Sequence, residues 1–274
     1  MTTGILYICT GAYSIFWKDF YITANKYLFP GVIKKFFVFC DSSEIYGETN
    51  NPNIVKIPIE HKAWPYNTLL RFEMFYNHKN LFDGCDYLLF YNANTIFTTE
   101  ILPEEILPEK EDGYLVALSN NDVNNFTPEQ HTYDRNPAST AYIPFGQGKE
   151  YYRGCFNGGR TPEFLQLIKT CKEQTDIDLK NNVMALWHDE SHLNKYLLNK
   201  PVKTISSVYG KPEEWQQPKE AKVIFSIKSK KIKDINRFKG IQIKYSLTRF
   251  IRKLCQARHV ERSGAKSRRL IDTL

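Results

Sequence analysis

The chain has 274 residues, and its 18 Phe, 17 Tyr and 4 Trp are enough for the core of one large α/β domain or two small ones. No signal-peptide pattern and no run of about 18 apolar residues occurs, so we expect a cytoplasmic globular protein that is neither secreted nor membrane-spanning. The six cysteines lack CxxC spacing, which argues against zinc and against a disulfide framework and predicts reduced thiols.

Alternating strands and helices are predicted along the first part of the chain. An apolar run at 4–11 ends in a polar turn with Gly11, and apolar side chains at four-residue spacing predict a helix from Ser14 to about Phe29. A strand end beside a helix start is a place where nucleotides bind, although one glycine falls short of a Rossmann fingerprint. The next predicted elements are strands at 35–40 and 53–59 and a helix that begins at Trp64–Pro65 and carries Arg71.

A strand predicted at 87–91 is apolar and aromatic without alternation, as expected of a strand covered on both faces, and it ends in Asn92, Ala93 and Asn94. Nucleotides bind at this edge of open α/β sheets, so the two carboxamides are candidate contacts to a ribose or a diphosphate; a simple asparagine-stabilised turn is the alternative. Many nucleotide-sugar glycosyltransferases carry a metal-binding Asp-x-Asp after such a strand. Both acidic positions are Asn here, and neutral amides bind hard cations weakly. Such a site is predicted to work without a metal.

Two segments in the middle of the chain have compositions typical of ligand-binding loops. The stretch 119–137 is rich in Asn, Asp, Thr and Pro, which is typical of a lid or an acceptor-binding loop, with local disorder as the alternative. The stretch 151–159 combines aromatics with three glycines, which allow the backbone to approach a ligand closely. After it, Thr161 as N-cap and Pro162 at the first helical position predict a helix to about Lys180.

The segment 187–198, with the sequence WHDESHLNKYLL, is a second candidate chemical centre. Asp189 or Ser191 is predicted to cap a helix, and acidic residues in a first turn are ordinarily partners of the helix dipole. His188 and His192 have i,i+4 spacing, but an HExxH zinc site needs Glu directly after the first His, where this chain has Asp189. A metalloprotease site is therefore not supported.

Residues 228–274 are strongly basic, with 15 Lys and Arg against 3 Asp and Glu. Apolar side chains recur there at helical spacing among the basic ones, at Ile243, Leu247, Phe250, Ile251 and Leu254. This pattern is typical of an interfacial helix on anionic lipid, which would hold the protein on the inner face of a membrane; a solvated or disordered tail is the alternative. No motif supports nucleic-acid binding. We predict a main domain at 1–227 and a basic, partly amphipathic tail at 228–274.

Several motifs together resemble one known family. They are the segments 36–39 with Asp41, 70–74, 92–94, 132–135, 141–144, 151–152 with 158–159, and 187–198. They resemble glycosyltransferase family 6, the family of the histo-blood-group A and B transferases and alpha-1,3-galactosyltransferase, and in particular its bacterial, metal-independent branch. The similarity is expected to run from about Ile5 to Trp215.

The resemblance implies a GT-A-type α/β fold for the domain 1–227, with a central mixed sheet flanked by helices. It also implies retaining transfer of Gal or GalNAc from a UDP-sugar to the 3-hydroxyl of a galactoside. The donor contacts implied by motif position are Ile8, Cys9, Thr10 and Tyr13 to the uridine, Arg71 to the diphosphate side, and Asn92, Ala93 and Asn94 to the ribose and diphosphate.

The resemblance also assigns the catalytic and acceptor residues. Glu190 falls on the family's catalytic carboxylate, and retention allows it to act either as a nucleophile or as a stabiliser of an oxocarbenium-like centre. Asp189 would hold the hydroxyls of the donor sugar. The implied acceptor contacts are Trp187, Arg153, Thr132 and Asn120; the last stands in a Ser-Asn-Asn segment where the family has His-Pro-Gly, so a histidine contact is missing.

The expected donor follows from one motif position. Cys155 stands where the animal enzymes carry Gly or Ala, and its larger side chain favours UDP-Gal over UDP-GalNAc and a B-antigen-like product on a Fuc-alpha-1,2-Gal acceptor. A backbone shift at Gly154 could reopen the space. No metal cofactor is expected, and Lys or Arg side chains, with candidates in the basic tail, would neutralise the UDP. The open alternatives are the same reaction with UDP-GalNAc and an inactive sugar-binding relative; the Asp189–Glu190 pair favours an enzyme.

Overall fold

A seven-stranded mixed sheet forms the centre of this computed structural model, which describes residues 1–120 and 127–233. The strands in chain order are β1 (Thr2–Ile8), β2 (Ile33–Cys40), β3 (Ile54–Pro58), β4 (Tyr87–Tyr91), β5 (Thr95–Phe97), β6 (Leu115–Ser119), β7 (Tyr152–Arg160), β8 (Lys203–Ile205), β9 (Lys211–Pro212) and β10 (Val223–Phe225). The large sheet has the order β3-β2-β1-β4-β7-β6-β8, and β7 runs antiparallel to both of its neighbours. Strands β5, β10 and β9 form a small second sheet.

Helices cover both faces of the large sheet. They are α1 (Trp17–Tyr27), α2 (Tyr66–Leu69), α3 (Arg71–Asn77), α4 (Pro103–Ile106), α5 (Thr161–Lys180) and α6 (Asp189–Leu197), with 3-10 turns at Gly11–Phe16, Lys79–Phe82, Ser207–Tyr209 and Lys228–Lys230. This architecture confirms the predicted α/β fold with a central mixed sheet flanked by helices.

Alternate side chains of β4 enter two separate cores. Leu89 and Tyr91 pack on the side of α1, whereas Leu88 and Phe90 pack on the side of α3, α5 and α6. None of the four is more than 3% exposed. A strand buried on both faces needs no polar alternation, which confirms the interpretation of the 87–91 run.

The predicted helix at 14–29 is shorter in the structure. A 3-10 turn at Gly11–Phe16 precedes α1, which ends at Tyr27. Phe29 has a φ of +51° and precedes Pro30, whose ring disfavours a helical conformation in the residue before it. The helix predicted from Trp64–Pro65 is also divided, because α2 and α3 meet at Leu70, which has non-helical dihedral angles.

Two capping predictions were wrong, although the helices exist. The N-cap of α5 is Arg160, and the Thr161 hydroxyl instead donates to the Cys85 carbonyl at 2.7 Å. The N-cap of α6 is His188, and the Ser191 hydroxyl accepts the N–H of Trp187 at 2.9 Å. Asp189 is therefore the first residue of α6 and its side chain is left for other contacts.

The segment that follows β10 packs against the main domain. The Ser226 N–H donates to the Asn94 carbonyl at 2.8 Å, and Ile232 is only 7% exposed in the core beside α1. The start of the predicted 228–274 tail is thus folded onto the domain, while the apolar stripe from Ile243 to Leu254 lies outside the described residues. Over the described residues, no helix is long and apolar enough to cross a membrane. The five cysteines in this part of the chain are free thiols.

Candidate active site

Two adjoining pockets lie at the carboxyl ends of β1 and β4, where polar residues after parallel neighbouring strands meet. The β1–β4 pocket is lined by Ile8, Thr10, Tyr13, His61, Trp64, Asn67, Thr68, Arg71, Phe90, Asn92, Ala93 and Lys228. The α6 pocket is lined by Trp64, Thr68, Arg71, Asn92, Gly154, Cys155, Trp187, His188, Asp189 and Glu190. Four residues belong to both linings, so the two pockets form one continuous cleft.

Three of the four residues assigned to the uridine line the β1–β4 pocket, namely Ile8, Thr10 and Tyr13. The fourth, Cys9, has no exposed surface, and its thiol lies close enough to Cys40 that the two interact and raise the pKa of Cys9. Successive side chains of an extended chain point to opposite faces, so Cys9 enters the core when its neighbours face the pocket. The side chain of Cys9 therefore lies behind the pocket, and a contact between this residue and the uridine stays a prediction.

The residues after β4 divide between the pocket and the C-terminal segment. Asn92 and Ala93 line the β1–β4 pocket. Asn94 is 5% exposed, and its side-chain amide donates to the Ser226 carbonyl at 2.7 Å. This contact fastens the segment after β10, and a contact between Asn94 and the diphosphate stays a prediction.

That segment brings a cation to the pocket. Lys228 lines the β1–β4 pocket, with its Nζ 5.3 Å from the ring centroid of Tyr13. Lys230 and Lys231, which follow it in the same region, form ion pairs with Glu213 and Asp19. The turn therefore directs Lys228 into the cleft and the next two basic side chains onto the protein surface.

Arg71 is buried between the two pockets. Its Nη2 forms an ion pair with Oδ2 of Asp189, and its Nη1 donates to the Gly154 carbonyl at 2.7 Å. The guanidinium carbon lies 4.0 Å from the ring centroid of Phe90, within the range of a cation–π contact. Arg71 thus joins α3, β7 and α6 where the pockets meet.

The two acidic residues of α6 lie in different environments. Asp189 is 2% exposed, and burial raises its pKa to about 7 even though the guanidinium of Arg71 opposes the shift. Glu190 accepts the Tyr151 hydroxyl on Oε1 at 2.5 Å and the Gly154 N–H on Oε2 at 2.6 Å. Burial also raises the pKa of Glu190, against these two hydrogen bonds. One carboxyl is paired with a cation and the other is held by neutral donors, which suits them to separate roles.

The residues assigned to the acceptor do not all lie in the same part of the structure. Trp187 lines the α6 pocket, Thr132 is exposed beside Tyr151, and the Asn120 N–H donates to the Tyr151 carbonyl at 2.8 Å. Thr132 and Asn120 are thus both close to Tyr151. Arg153 points elsewhere: it donates to the carbonyls of Ser119 and Gly210 at 3.0 and 2.8 Å and stacks on Trp215.

A comparison with known families decides the identity of the chain. A model described as glycosyltransferase family 6 matches residues 1–237. The chain belongs to glycosyltransferase family 6. The protein is therefore a glycosyltransferase of a family with the GT-A fold, as the motifs indicated.

Curated relatives agree with this assignment. The O-antigen biosynthesis glycosyltransferase WbnI of Escherichia coli is 36% identical over 231 residues, covering 84% of this chain and 96% of that protein. The histo-blood group ABO system transferase 2 of Rattus norvegicus is 31% identical over 215 residues, covering 76% and 63%. The globoside alpha-1,3-N-acetylgalactosaminyltransferase 1 of Homo sapiens is 28% identical over 231 residues, covering 82% and 65%. The chain spans less than two thirds of these two mammalian relatives.

The family match also corrects the predicted end of the similarity. The sequence motifs placed that end near Trp215, but the match reaches residue 237. The segment that carries Ser226 and Lys228 therefore belongs to the family 6 domain, which the motifs after 198 were too sparse to reveal.

Positions 92–94 after β4 carry no charged oxygen ligand for a divalent cation in this family 6 member. Asn92 and Asn94 are neutral amides, and the side-chain N–H of Asn94 donates to the Ser226 carbonyl. Hard cations prefer charged oxygen ligands. Among residues 1–120 and 127–233, no group of three His, Cys, Asp or Glu side chains is arranged to hold a metal ion.

Sequence reasoning did not assign site roles to His61, Thr68, Tyr151 or His188. A ring nitrogen of His61 forms a hydrogen bond of 3.0 Å with the Thr10 hydroxyl, and Thr68 lines both pockets. Their closeness to the helix that carries Arg71 was the available signal. His188 has a φ of +57°, a strained backbone conformation that is common at functional sites but leaves no mark in a sequence.

Proposed function

We propose that this family 6 enzyme transfers galactose from UDP-Gal to the 3-hydroxyl of a Fuc-alpha-1,2-Gal acceptor, with retention of configuration and without a metal ion. The observation that carries the proposal is the acidic pair of α6 beside Arg71, set in a pocket continuous with the β1–β4 pocket. The first pocket suits a nucleotide, and the second suits the sugar and the reacting atoms.

The nucleotide is proposed to lie at the ends of β1 and β4. Tyr13 and Ile8 offer apolar surface to the uracil, and Thr10 and Asn92 offer hydrogen-bonding groups to the ribose and diphosphate. Lys228 faces the same pocket and is the proposed counter-charge for the diphosphate, in the role that a divalent cation has in Asp-x-Asp enzymes. Arg71 supplies a second positive charge at the junction of the pockets.

Glu190 is proposed to act on the anomeric carbon of the donor. In the transfer, the bond from that carbon to the diphosphate oxygen breaks with its electron pair leaving on UDP, a bond to the acceptor O3 forms, and the O3 proton passes to an oxygen of the departing diphosphate. Retention follows if Glu190 forms a transient glycosyl ester on the opposite face, or if it stabilises an oxocarbenium-like centre. Asp189, held by Arg71, is the proposed partner of the donor sugar's hydroxyls.

Cys155 is the proposed determinant of the donor sugar. It lines the α6 pocket, and burial raises the pKa of its thiol to about 11, so the side chain remains a neutral thiol at working pH. Its neighbour Gly154 is fixed on both sides, since its N–H donates to Glu190 and its carbonyl accepts from Arg71. A backbone shift that would make room for an acetamido group therefore has to break two charge-assisted hydrogen bonds, which supports galactose as the donor sugar.

The same reaction with UDP-GalNAc is the second candidate. It is favoured by one observation: a curated relative is named as an N-acetylgalactosaminyltransferase. An inactive sugar-binding protein is disfavoured, because a buried acidic pair is costly to retain where no chemistry uses it.

The location of the enzyme is also a proposal. The relative from Escherichia coli is named for O-antigen biosynthesis, which suits a cytoplasmic enzyme. The basic residues of 228–274 would then bring it to the anionic inner face of the membrane.

A donor-by-acceptor screen tests the function. UDP-Gal and UDP-GalNAc are each incubated with lactose and 2′-fucosyllactose in the presence of EDTA, and products are measured by mass. The proposal predicts a hexose addition to 2′-fucosyllactose that EDTA does not abolish. A requirement for manganese contradicts the metal-free proposal, and preferred addition of N-acetylhexosamine contradicts the argument from Cys155.

A further inference from the structure

The carboxylate of Glu190 is held by one neutral donor on each oxygen. The Tyr151 hydroxyl donates to Oε1 at 2.5 Å and the Gly154 N–H donates to Oε2 at 2.6 Å. A side chain at position 154 would crowd this arrangement, because a Cβ there would lie 3.0 Å from the Glu190 Cβ. The orientation of the carboxylate plane is therefore fixed from two sides.

Tyr151 is itself held rigidly. It is 4% exposed and stands directly before β7, and its ring packs against Tyr133 and His131 with centroid distances of 5.4 and 6.1 Å. Burial raises the pKa of Tyr151 well above its ordinary value, so the phenol keeps its proton at working pH. The side chain is thus a fixed and permanent hydrogen-bond donor.

The charged groups around Glu190 do not replace this donor. Arg71 on α3 and Arg153 on β7 favour the ionised form of Glu190 through space, but Arg71 is paired with Asp189 and Arg153 is bonded to two carbonyls. Asp189 on α6 is next to Glu190 in the chain and would repel a second negative charge. Of the influences that oppose burial, the hydrogen bond from Tyr151 lowers the pKa of Glu190 the most.

We infer that Tyr151 is a positioning residue for the transfer reaction, whose hydroxyl fixes the Glu190 carboxylate for action on the anomeric carbon. The inference rests on the proposed function, because it assumes the role given there to Glu190. It gives a role to Tyr151, which lies in one of the family motifs but to which neither the motifs nor the family match assigns a function.

Thr132 is exposed and lies beside Tyr151, where its side chain opposes the rise in the pKa of the phenol. An acceptor that contacts Thr132 would therefore lie close to the group that holds Glu190.

The test is Tyr151→Phe, which removes the hydroxyl and keeps the ring. We expect kcat to fall about 10- to 100-fold, since the lost hydrogen bond is to a charged group, while the KM for UDP-Gal stays within about threefold. Loss of the donor raises the pKa of Glu190, so the acid limb of the pH profile of kcat should move to higher pH by about one unit. Thr132→Val should shift the same limb in the same direction, by less.

The matched control is Tyr152→Phe, an adjacent buried tyrosine whose hydroxyl bonds to Thr204 at 3.2 Å, away from Glu190. It should leave the pH profile unchanged. An unchanged kcat in Tyr151→Phe, or a decrease without a shift of the acid limb, overturns the inference, the latter because a purely structural loss would not move the limb. Glu190→Gln measured alongside separates the claims: if it keeps wild-type turnover the proposed role of Glu190 fails, whereas an impaired E190Q beside an unimpaired Y151F overturns only the role of Tyr151.

Discussion

Replacing Arg71 by Met tests the buried ion pair on which the sugar pocket is built. The side chains of Arg71 and Asp189 are 4% and 2% exposed, so the variant leaves a carboxylate without its counter-ion in a desolvated site. It also loses the hydrogen bond to Gly154 and the contact with Phe90. Removal of one partner from a buried pair costs about 3–5 kcal/mol, and we expect a loss of that order in the free energy of unfolding at pH 8.

The loss should depend on pH, because Asp189 can take up a proton. Burial raises its pKa from the ordinary 3.8 to about 7 in the folded protein. The contribution of this group to the free energy of unfolding is therefore complete below its pKa in the unfolded chain and is lost as the pH rises through about 7. Without Arg71 the folded-state pKa rises further, and the variant continues to lose stability above pH 7 where the wild type has levelled off. The deficit should therefore be larger at pH 8 than at pH 6, by about 1 kcal/mol.

Urea unfolding at pH 6 and pH 8, followed by circular dichroism, measures both quantities. Lys172→Met is the control, because it breaks an exposed pair with Asp176 at 2.6 Å on α5 and should cost less than about 0.5 kcal/mol at either pH. The reasoning is refuted if Arg71→Met costs no more than the control, or if its cost is the same at both pH values.

Three further predictions concern activity. Cys155→Gly should raise kcat/KM for UDP-GalNAc relative to UDP-Gal by about tenfold or more, and an unchanged ratio in the two-donor assay would show that Cys155 does not select the sugar. Lys228→Gln should raise the KM for UDP-Gal about tenfold, with no rescue by manganese, and an unaffected KM would remove Lys228 from the diphosphate site. Truncation after Lys233 should keep activity and weaken binding to vesicles that contain anionic lipid. Truncation after Ile227 should, in addition, reduce the affinity for UDP measured by calorimetry. Equal UDP affinities of the two truncated proteins would contradict the role of the segment 228–233.

The sheet and the acidic motif could be predicted from the sequence. The aromatic run 87–91 has one physical explanation, a strand buried on both faces, and its polar end marks the edge where the pockets open. The motif around Asp189 and Glu190 is long enough to place both acids at the start of a helix.

Other parts of the site depend on tertiary contacts that no local pattern encodes. The Arg71–Asp189 pair joins α3 to α6 across more than a hundred residues of chain, and the side chain of Cys9 is buried near Cys40 on β2. The placement of Lys228 depends on the hydrogen bonds between Asn94 and Ser226. The basic composition of the tail does not predict these contacts. The assignments of Glu190 and Asp189 to steps of the reaction stay predictions.

The most direct test of the account is the product formed from UDP-Gal and 2′-fucosyllactose in excess EDTA, analysed by NMR. The account predicts a new galactose joined to O3 of the acceptor galactose with an alpha anomeric coupling, formed at a rate that added manganese does not raise. A beta-linked product, a linkage to another hydroxyl, or transfer only after manganese is restored would contradict it.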